Sequence, residues 1–329
     1  MKTLDRHTTL PLRNHKTLAN RVVLPPMASE TADEQGLVTP ATLDHYTRLA
    51  TSRAGLLMVE YSFVHRSGRS EGKQLGIDGV ENLPGLTQLA QVLKAHGSLA
   101  GIQLTHAGGK TERILTQGEL QAPSSVAVPV NGKTLEAPTP MTQAHIDLWV
   151  ESFIQAAGLA AAAGFDLVEI HAAHGYGINQ WLSPLTNRRT DRYGGSIDTN
   201  MTVLLEILRG IRQKHPGLLL AVRIPGQDFY PGGLSREDCV FIARTLESAG
   251  VDIIDVSSGI GGWRRPGART GEGYLIEEAA HIQQQLGIPV IGVGGIKTGE
   301  YVDQIVASGS VSLAAIGRAF LAEPTFLLG

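Results

Sequence analysis

Short apolar runs alternate with helix-like segments from one end of the chain to the other. Eight of these runs are nearly continuous in aliphatic residues, which is the pattern of strands buried on both faces of a sheet. Helix-like segments with recognisable start and stop residues lie between them. The predicted strands cover residues 22–24, 55–64, 99–104, 166–171, 218–224, 251–257, 290–293 and 311–316.

Capping residues mark where several helices begin and end. Thr39 followed by Pro40 predicts a helix start, because proline is favoured at the first helical position. Gly97 and Gly164 are the expected stops of two others, since glycine readily ends a helix in the left-handed conformation. The predicted helices cover residues 40–53, 84–96, 142–163 and 200–214, and a further helix begins at Ser235.

Eight strand–helix units predict a parallel α/β fold of the (β/α)₈ TIM-barrel type, with residues 1–329 as a single domain. The alternative is an open, doubly wound sheet. A sheet of that kind that binds a dinucleotide would carry a glycine-rich turn after its first strand. The sequence Leu24-Pro-Pro-Met-Ala28 is not such a turn, which favours the barrel.

Three long segments follow strands, at residues 105–141, 172–199 and 258–274. In a barrel they would gather on the carboxyl-terminal face, where barrel enzymes keep their active sites. Loops of this length without secondary structure of their own are uncommon and usually functional.

Composition narrows the function classes. The chain has 329 residues and a net charge of −3, so no basic surface suggests nucleic acid or an anionic membrane as a partner. Cys239 is the one cysteine, which excludes an intramolecular disulfide and a cysteine-ligated iron–sulfur cluster. We find no secretory leader and no apolar run near the roughly 20 residues that span a bilayer. The chain is therefore expected to be cytoplasmic.

His171 and His174 stand three residues apart at the end of a predicted strand. They could be hydrogen-bonded core residues, two ligands of a metal site, or a pair of N–H donors that hold a substrate oxygen. A metal site needs three or four ligands, and only Glu169 lies nearby. Tyr176, two residues further on, is a poor base but a competent proton donor, or else a packing residue of the rim.

Two glycine-containing turns follow the seventh and eighth predicted strands, at Gly294-Gly295 and Gly317-Arg318. Barrel phosphate sites form from the loops after these two strands. The pair therefore predicts a phosphate site, without distinguishing FMN from a sugar phosphate.

The segment from residue 171 to 196 carries a longer motif. It contains a His-Gly-Tyr core and the run Leu-Ser-Pro-Leu-Thr-Asn-Arg-Arg-Thr-Asp-Arg-Tyr-Gly-Gly-Ser. This motif resembles the signature of the Old Yellow Enzyme family, the flavin-dependent ene-reductases, and the resemblance extends from Leu10 to Pro324. It implies a barrel that binds FMN non-covalently, takes hydride from NADPH or NADH, and passes it to a small-molecule substrate.

The resemblance also implies residue roles. His171 and His174 would bind the activating carbonyl or nitro group of the substrate, and Tyr176 would protonate its α-carbon. Gln103 and Arg223 would contact the flavin ring, although Arg223 could instead form a salt bridge with a neighbouring acid such as Asp255. The other implied cofactor contacts are Pro25, Pro26, Met27, Ala28, the backbone at Tyr61, Gly294, Gly295, Gly317 and Arg318.

This chain departs from the family pattern at several positions, among them Ala28 and Glu30. Ala28 replaces a frequent threonine or cysteine, and Glu30 replaces a tyrosine of one bacterial subgroup. We predict an FMN-dependent NAD(P)H oxidoreductase that reduces activated C=C bonds. The alternatives are a flavin-binding barrel with little such activity and a metal-dependent hydrolase that uses the histidine pair. Whether copies associate into a homo-oligomer stays open.

Overall fold

The computed structural model describes residues 4–116, 118–130, 135–263, 267 and 269–327. Eight parallel strands close into a barrel, and β8 completes the ring by pairing with β1, where Ala314 lies beside Val22. The predicted (β/α)₈ fold is confirmed. The strands are β1 (Val22–Leu24), β2 (Leu56–Phe63), β3 (Leu99–Thr105), β4 (Leu167–His171), β5 (Leu219–Pro225), β6 (Ile253–Ser257), β7 (Val290–Gly292) and β8 (Leu313–Ala315).

Each strand is followed by a helix that packs on the outside of the barrel. The predicted caps form at two helices: the Thr39 side chain accepts a hydrogen bond from the Thr42 amide, and Gly164 ends its helix at φ 92°. The helix expected to stop at Gly97 already ends at Lys94, with Ala95 as its C-cap. The helices are α1 (Pro40–Ala50), α2 (Leu83–Lys94), α3 (Gln143–Ala163), α4 (Thr202–Lys214), α5 (Arg236–Ser248), α6 (Ile276–Gln283), α7 (Gly299–Ala307) and α8 (Arg318–Ala322).

Helix α1 ends three residues before the predicted position. The amides of Thr51, Ser52 and Arg53 donate to carbonyls three residues earlier, so the end of the helix tightens into a 3₁₀ turn. Arg53 has a positive φ of 50°. The sequence contains no glycine or proline there to signal the stop. The boundary therefore follows from the tight turn that leads into β2.

Apolar side chains form two layers around the strands. Alternate strand residues fill the barrel interior, among them Val23, Leu56, Met58 and Leu219. A hairpin formed by Leu10–Pro11 and Thr17–Leu18 adds Leu18 to this interior cluster. The larger layer lies between strands and helices and fixes the strand ends in place.

Helix α3, with 21 residues, is long and apolar enough by length and composition to cross a membrane. The sequence-based expectation that no run approaches this length is therefore wrong. Half of its most apolar stretch of 18 residues is buried inside the protein, and Trp149 and Phe153 belong to the core. The helix packs against α2 and α4, as a barrel helix does.

The long segments on the carboxyl-terminal face contain short elements that the sequence did not predict. One carboxylate ties three of the loops together: Asp228 accepts hydrogen bonds from the Leu234 amide, the Ile260 amide and the Ser183 hydroxyl. Residues 117, 131–134, 264–266 and 268 of these segments lie outside the described residues. The short elements of these segments are helices Arg113–Thr116, Gly177–Leu182 and Ile197–Asn200 and a ladder of Gln121–Ala122 with Thr139–Pro140. Single turns outside these segments are Arg13–His15, Arg66–Gly68 and Val80–Asn82.

Candidate active site

A cavity of about 740 Å³ opens at the carboxyl-terminal end of the barrel. Every predicted site residue except Gly294 lines it. Gly294 lies one residue behind the wall, where its carbonyl accepts from the Tyr274 amide at 3.1 Å. The predicted residues in the lining are Pro25, Pro26, Met27, Ala28, Tyr61, Gln103, His171, His174, Tyr176, Arg223, Gly295, Gly317 and Arg318.

His171 and His174 meet at the end of β4, with both imidazoles buried. The rings contact each other: His174 Nδ1 lies 3.2 Å from His171 Nε2, and His174 Nε2 lies 2.7 Å from Ser257 Oγ. A left-handed backbone at His174, with φ 60°, turns its ring back toward His171. Few residues other than glycine adopt this conformation, and it recurs at functional sites.

Both imidazoles are neutral. Burial, reinforced by the Arg223 charge, holds the pKa of each histidine well below its ordinary value. The Ala173 amide donates to His171 Nδ1, so the proton of His171 sits on Nε2. His171 then donates to His174, and His174 donates to Ser257. The sequence predicted donors directed at a substrate oxygen, and here both N–H groups are held within the protein.

Tyr176 lies against these histidines in an enclosed corner of the cavity. Its ring centroid is 5.0 Å from that of His171 and 5.5 Å from that of Tyr61. The ammonium of Lys110 stands 4.5 Å from the Tyr176 ring centroid. Burial raises the pKa of the Tyr176 phenol, while hydrogen bonding with Tyr61 and Ser70 lowers it.

A buried polar network joins side chains of four neighbouring strands, β3 to β6. The Gln103 amide donates to Glu169 Oε1 at 2.7 Å, and Arg223 Nε lies 3.2 Å from Asp255 Oδ2. The alternative salt bridge of Arg223 is therefore present, yet Arg223 also lines the cavity. Burial raises the pKa of both carboxyl groups, and the Arg223 charge opposes the rise. Glu169 Oε2 and Asp255 Oδ1 have no hydrogen-bond partner in the described structure.

The opposite end of the cavity is cationic. Gly317 caps α8, and the side chains of Arg318 and Lys297 border the same wall as Gly295. Among the described residues, no carboxylate lies within salt-bridge distance of either cation. A Cβ on Gly317 would lie 2.8 Å from Met27 Sδ, so the backbone here approaches the β1 loop closely. Unpaired cations beside close-packed backbone are what a phosphate group requires.

Several lining residues escaped the sequence analysis. Ser257 is the last residue of β6, and the rule that sites gather at strand ends could have found it. Lys110 sits in the segment after β3, where only its place in a long loop was a signal. Trp263, Tyr274 and Lys297 come from loops whose course depends on long-range contacts.

The metal-site interpretation of the histidine pair gains nothing from the geometry. Across residues 4–327, in the ranges given above, no group of three histidine, cysteine, aspartate or glutamate side chains is arranged to hold a metal ion.

Comparison with known proteins identifies the family of this chain. Residues 10–328 match the model of the NADH:flavin oxidoreductase / NADH oxidase family. The NADPH dehydrogenase of Geobacillus sp. (strain WCH70) is 40% identical over 309 residues, covering 94% of this chain and 88% of that protein. The NADPH dehydrogenase of Bacillus subtilis (strain 168) is 38% identical over 311 residues, covering 94% and 89%.

The fold also resembles that of a solved structure. The structure of morphinone reductase superposes with a TM-score of 0.84 at 23% identity, covering 98% of this chain and 88% of that one. The family match spans the barrel and the whole cavity described above, and it confirms the resemblance found in the sequence. The chain belongs to the NADH:flavin oxidoreductase / NADH oxidase family, that of Old Yellow Enzyme, and is an FMN-dependent oxidoreductase.

Proposed function

We propose that the protein uses NADPH to reduce the activated C=C bond of α,β-unsaturated carbonyl or nitro compounds. The observation that carries the proposal is the meeting of two neutral imidazoles and a half-buried phenol in one largely apolar cavity. Polar donors that face a water-poor site are suited to an oxygen on which negative charge develops.

The residues that line the cavity support FMN as its occupant. Gly295, Gly317 and Arg318 would hold the phosphate at the cationic end, and Gln103 and Arg223 would face the polar edge of the ring. Arg223 would compensate negative charge on that edge. Bound FMN supplies hydride transfer, first from the nicotinamide and then to carbon.

The histidine pair would bind the activating oxygen of the substrate. An oxygen that enters between the rings can take the N–H of His171 in place of His174 Nδ1. His174 becomes a second donor when its proton moves to Nδ1. Ser257 permits this tautomer, because its hydroxyl can donate to His174 Nε2 as well as accept from it.

Tyr176 would complete the reaction by protonating the α-carbon. Its phenol is enclosed with Tyr61 and Ser70, so bulk water has little access to the reacting carbon. NADPH is proposed as the donor because the two curated relatives are named NADPH dehydrogenases. It would enter the same cavity and leave before the substrate binds.

Product analysis tests the proposal. The FMN-loaded protein is incubated anaerobically with NADPH and 2-cyclohexenone, and we expect one cyclohexanone for each NADPH consumed. The control is cyclohexene, whose double bond lacks an activating group and should stay unreduced. The proposal would be contradicted by a protein that oxidises NADPH in air but forms no cyclohexanone from 2-cyclohexenone under anaerobic conditions.

A further inference from the structure

Lys110 places a partly buried positive charge beside the proposed proton donor. Its Nζ stands 4.5 Å from the centroid of the Tyr176 ring and donates to the His174 carbonyl at 2.5 Å. Among the described residues, no carboxylate lies within salt-bridge distance of this ammonium. The side chain is thus held against two site residues by contacts other than an ion pair.

Withdrawing an ammonium from water costs stability unless something compensates it. Among the described residues, the contacts of this ammonium are the His174 carbonyl and the Tyr176 ring face. Burial lowers the pKa of Lys110 to about 8, and the more distant Glu71 opposes the shift. At neutral pH the ammonium form still dominates, so the cavity keeps a positive charge over the phenol.

Proton donation by Tyr176 creates the charge that this cation fits. When the phenol O–H bond breaks, the electron pair of the substrate enolate forms the new C–H bond. The phenolate that remains is negative and partly withdrawn from water, and this desolvation already raises the phenol pKa. A cation over the ring face attracts the anionic ring more strongly than the neutral one.

We infer that Lys110 is a positioning residue that stabilises the negative charge left on Tyr176 when it protonates the substrate, so this step requires the ammonium form of Lys110. The inference rests on the proposed function, in which Tyr176 supplies the proton.

The groups around Lys110 make its titration recognisable. The histidines titrate well below pH 6.5 and the phenols above pH 10, because burial shifts each away from neutrality. Arginine stays charged throughout. Among the described residues, the titratable and charged groups beside Lys110 are Glu71, His171, His174 and Tyr176, and Tyr61 and Arg223 line the same cavity.

The first test is the pH profile of enone-dependent reoxidation. In the wild type we expect the rate to fall as pH rises through about 8, where Lys110 loses its proton. Lys110→Met should be about 30-fold slower at pH 7, which is the worth of a desolvated cation over an aromatic ring, and should lack this limb. Lys110→Arg keeps the charge, so it should retain the rate at pH 7 and also lose the limb.

Controls separate this role from a structural one. Lys214→Met removes an exposed lysine that pairs with Glu151 on the surface, and it should leave the profile unchanged. FMN content and the rate of reduction by NADPH should stay at wild-type values in all variants. A Lys110→Met protein that keeps both the rate and the limb near pH 8 would overturn the inference.

The second test measures, without turnover, how the Tyr176 ring responds to the protonation of Lys110. The protein has seven tyrosines, so ¹³Cζ-tyrosine labelling of the FMN-loaded protein gives few resonances, and Tyr176→Phe identifies that of Tyr176. We expect this resonance to shift with a midpoint near pH 8 in the wild type and not in Lys110→Met. A resonance without inflection near pH 8 overturns the inference. A wild type that shows the inflection and never reduces enones overturns the proposed function instead.

Discussion

At the scale of single residues, the sequence predicted which side chains form the site better than it predicted the hydrogen bonds between them. His171, His174 and Tyr176 were placed in one pocket because they follow one strand, and the structure brings them together. The hydrogen bond between the two rings, and the bond from His174 to Ser257, could not be predicted. They depend on the left-handed backbone at His174 and on a strand 83 residues further along the chain.

The role of Tyr176 can be isolated by removing one oxygen. Tyr176→Phe should slow enone reduction by about 10²–10⁴-fold, because proton donation contributes that much. Flavin reduction by NADPH should be almost unchanged, since it needs no proton at carbon. Anaerobic stopped-flow absorbance separates the two steps.

Nitroalkenes supply the internal control for this variant. Their nitronate is a stable anion after hydride transfer, so the variant should still consume the nitroalkene and release nitronate. An unchanged enone rate would mean that Tyr176 is a packing residue and that water or another group gives the proton.

Arg318 offers a test of the phosphate end. Arg318→Ala should weaken FMN binding by about 1.5–3 kcal/mol, the worth of a hydrogen bond to a charged group. Quenching of FMN fluorescence on titration into the apoprotein measures this change. Arg209→Ala removes an exposed arginine of α4 and should bind FMN as the wild type does. Equal FMN affinities in the two variants would show that Arg318 does not bind the phosphate.

At the scale of elements, strands and caps were predictable and loops were not. Strand β4 was expected over residues 166–171 and runs over Leu167–His171, because its apolar run and the preceding Gly164 are local signals. The course of the loops depends on distant partners. Asp228 accepts from the Ile260 amide, and nothing near either residue in the sequence announces that bond.

This carboxylate should control the order of the carboxyl-terminal face. Asp228→Ala leaves the buried Leu234 and Ile260 amides and the Ser183 hydroxyl without their acceptor. We expect a loss of about 2–5 kcal/mol in the free energy of unfolding, as for removal of one partner of a buried charged network. Limited proteolysis should cut the variant faster within residues 258–274. If the variant keeps wild-type stability and is cleaved at the wild-type rate, the loops stay ordered without the Asp228 carboxylate.

At the scale of the whole molecule, buried neutral histidines make stability depend on pH. His106 is fully enclosed against Trp149, and burial lowers its pKa well below the ordinary value. Below pH 6.5 the unfolded chain binds a proton at this position and the folded chain does not. Its contribution to stability is therefore present above that pH and is lost as the pH falls.

A substitution that cannot titrate reveals this contribution. His106→Gln should be less stable than the wild type at pH 7, and the gap should shrink by up to about 1.4 kcal/mol for each pH unit below 6.5. Equilibrium urea unfolding at several pH values measures the gap. A gap for His106→Gln that stays constant below pH 6.5 would mean that this histidine is protonated in the fold.

The central claim is that the histidine pair activates a substrate for hydride transfer in this cavity. Its most direct test is anaerobic stopped-flow reoxidation of the NADPH-reduced protein by 2-cyclohexenone. The wild type and His96→Ala should recover the yellow absorbance at the same rate. His171→Ala and His174→Ala should keep FMN, be reduced normally, and reoxidise about 10²–10³-fold more slowly, because each lacks one donor to the developing oxyanion. Wild-type reoxidation by both variants, or none by the wild type itself, would contradict the account.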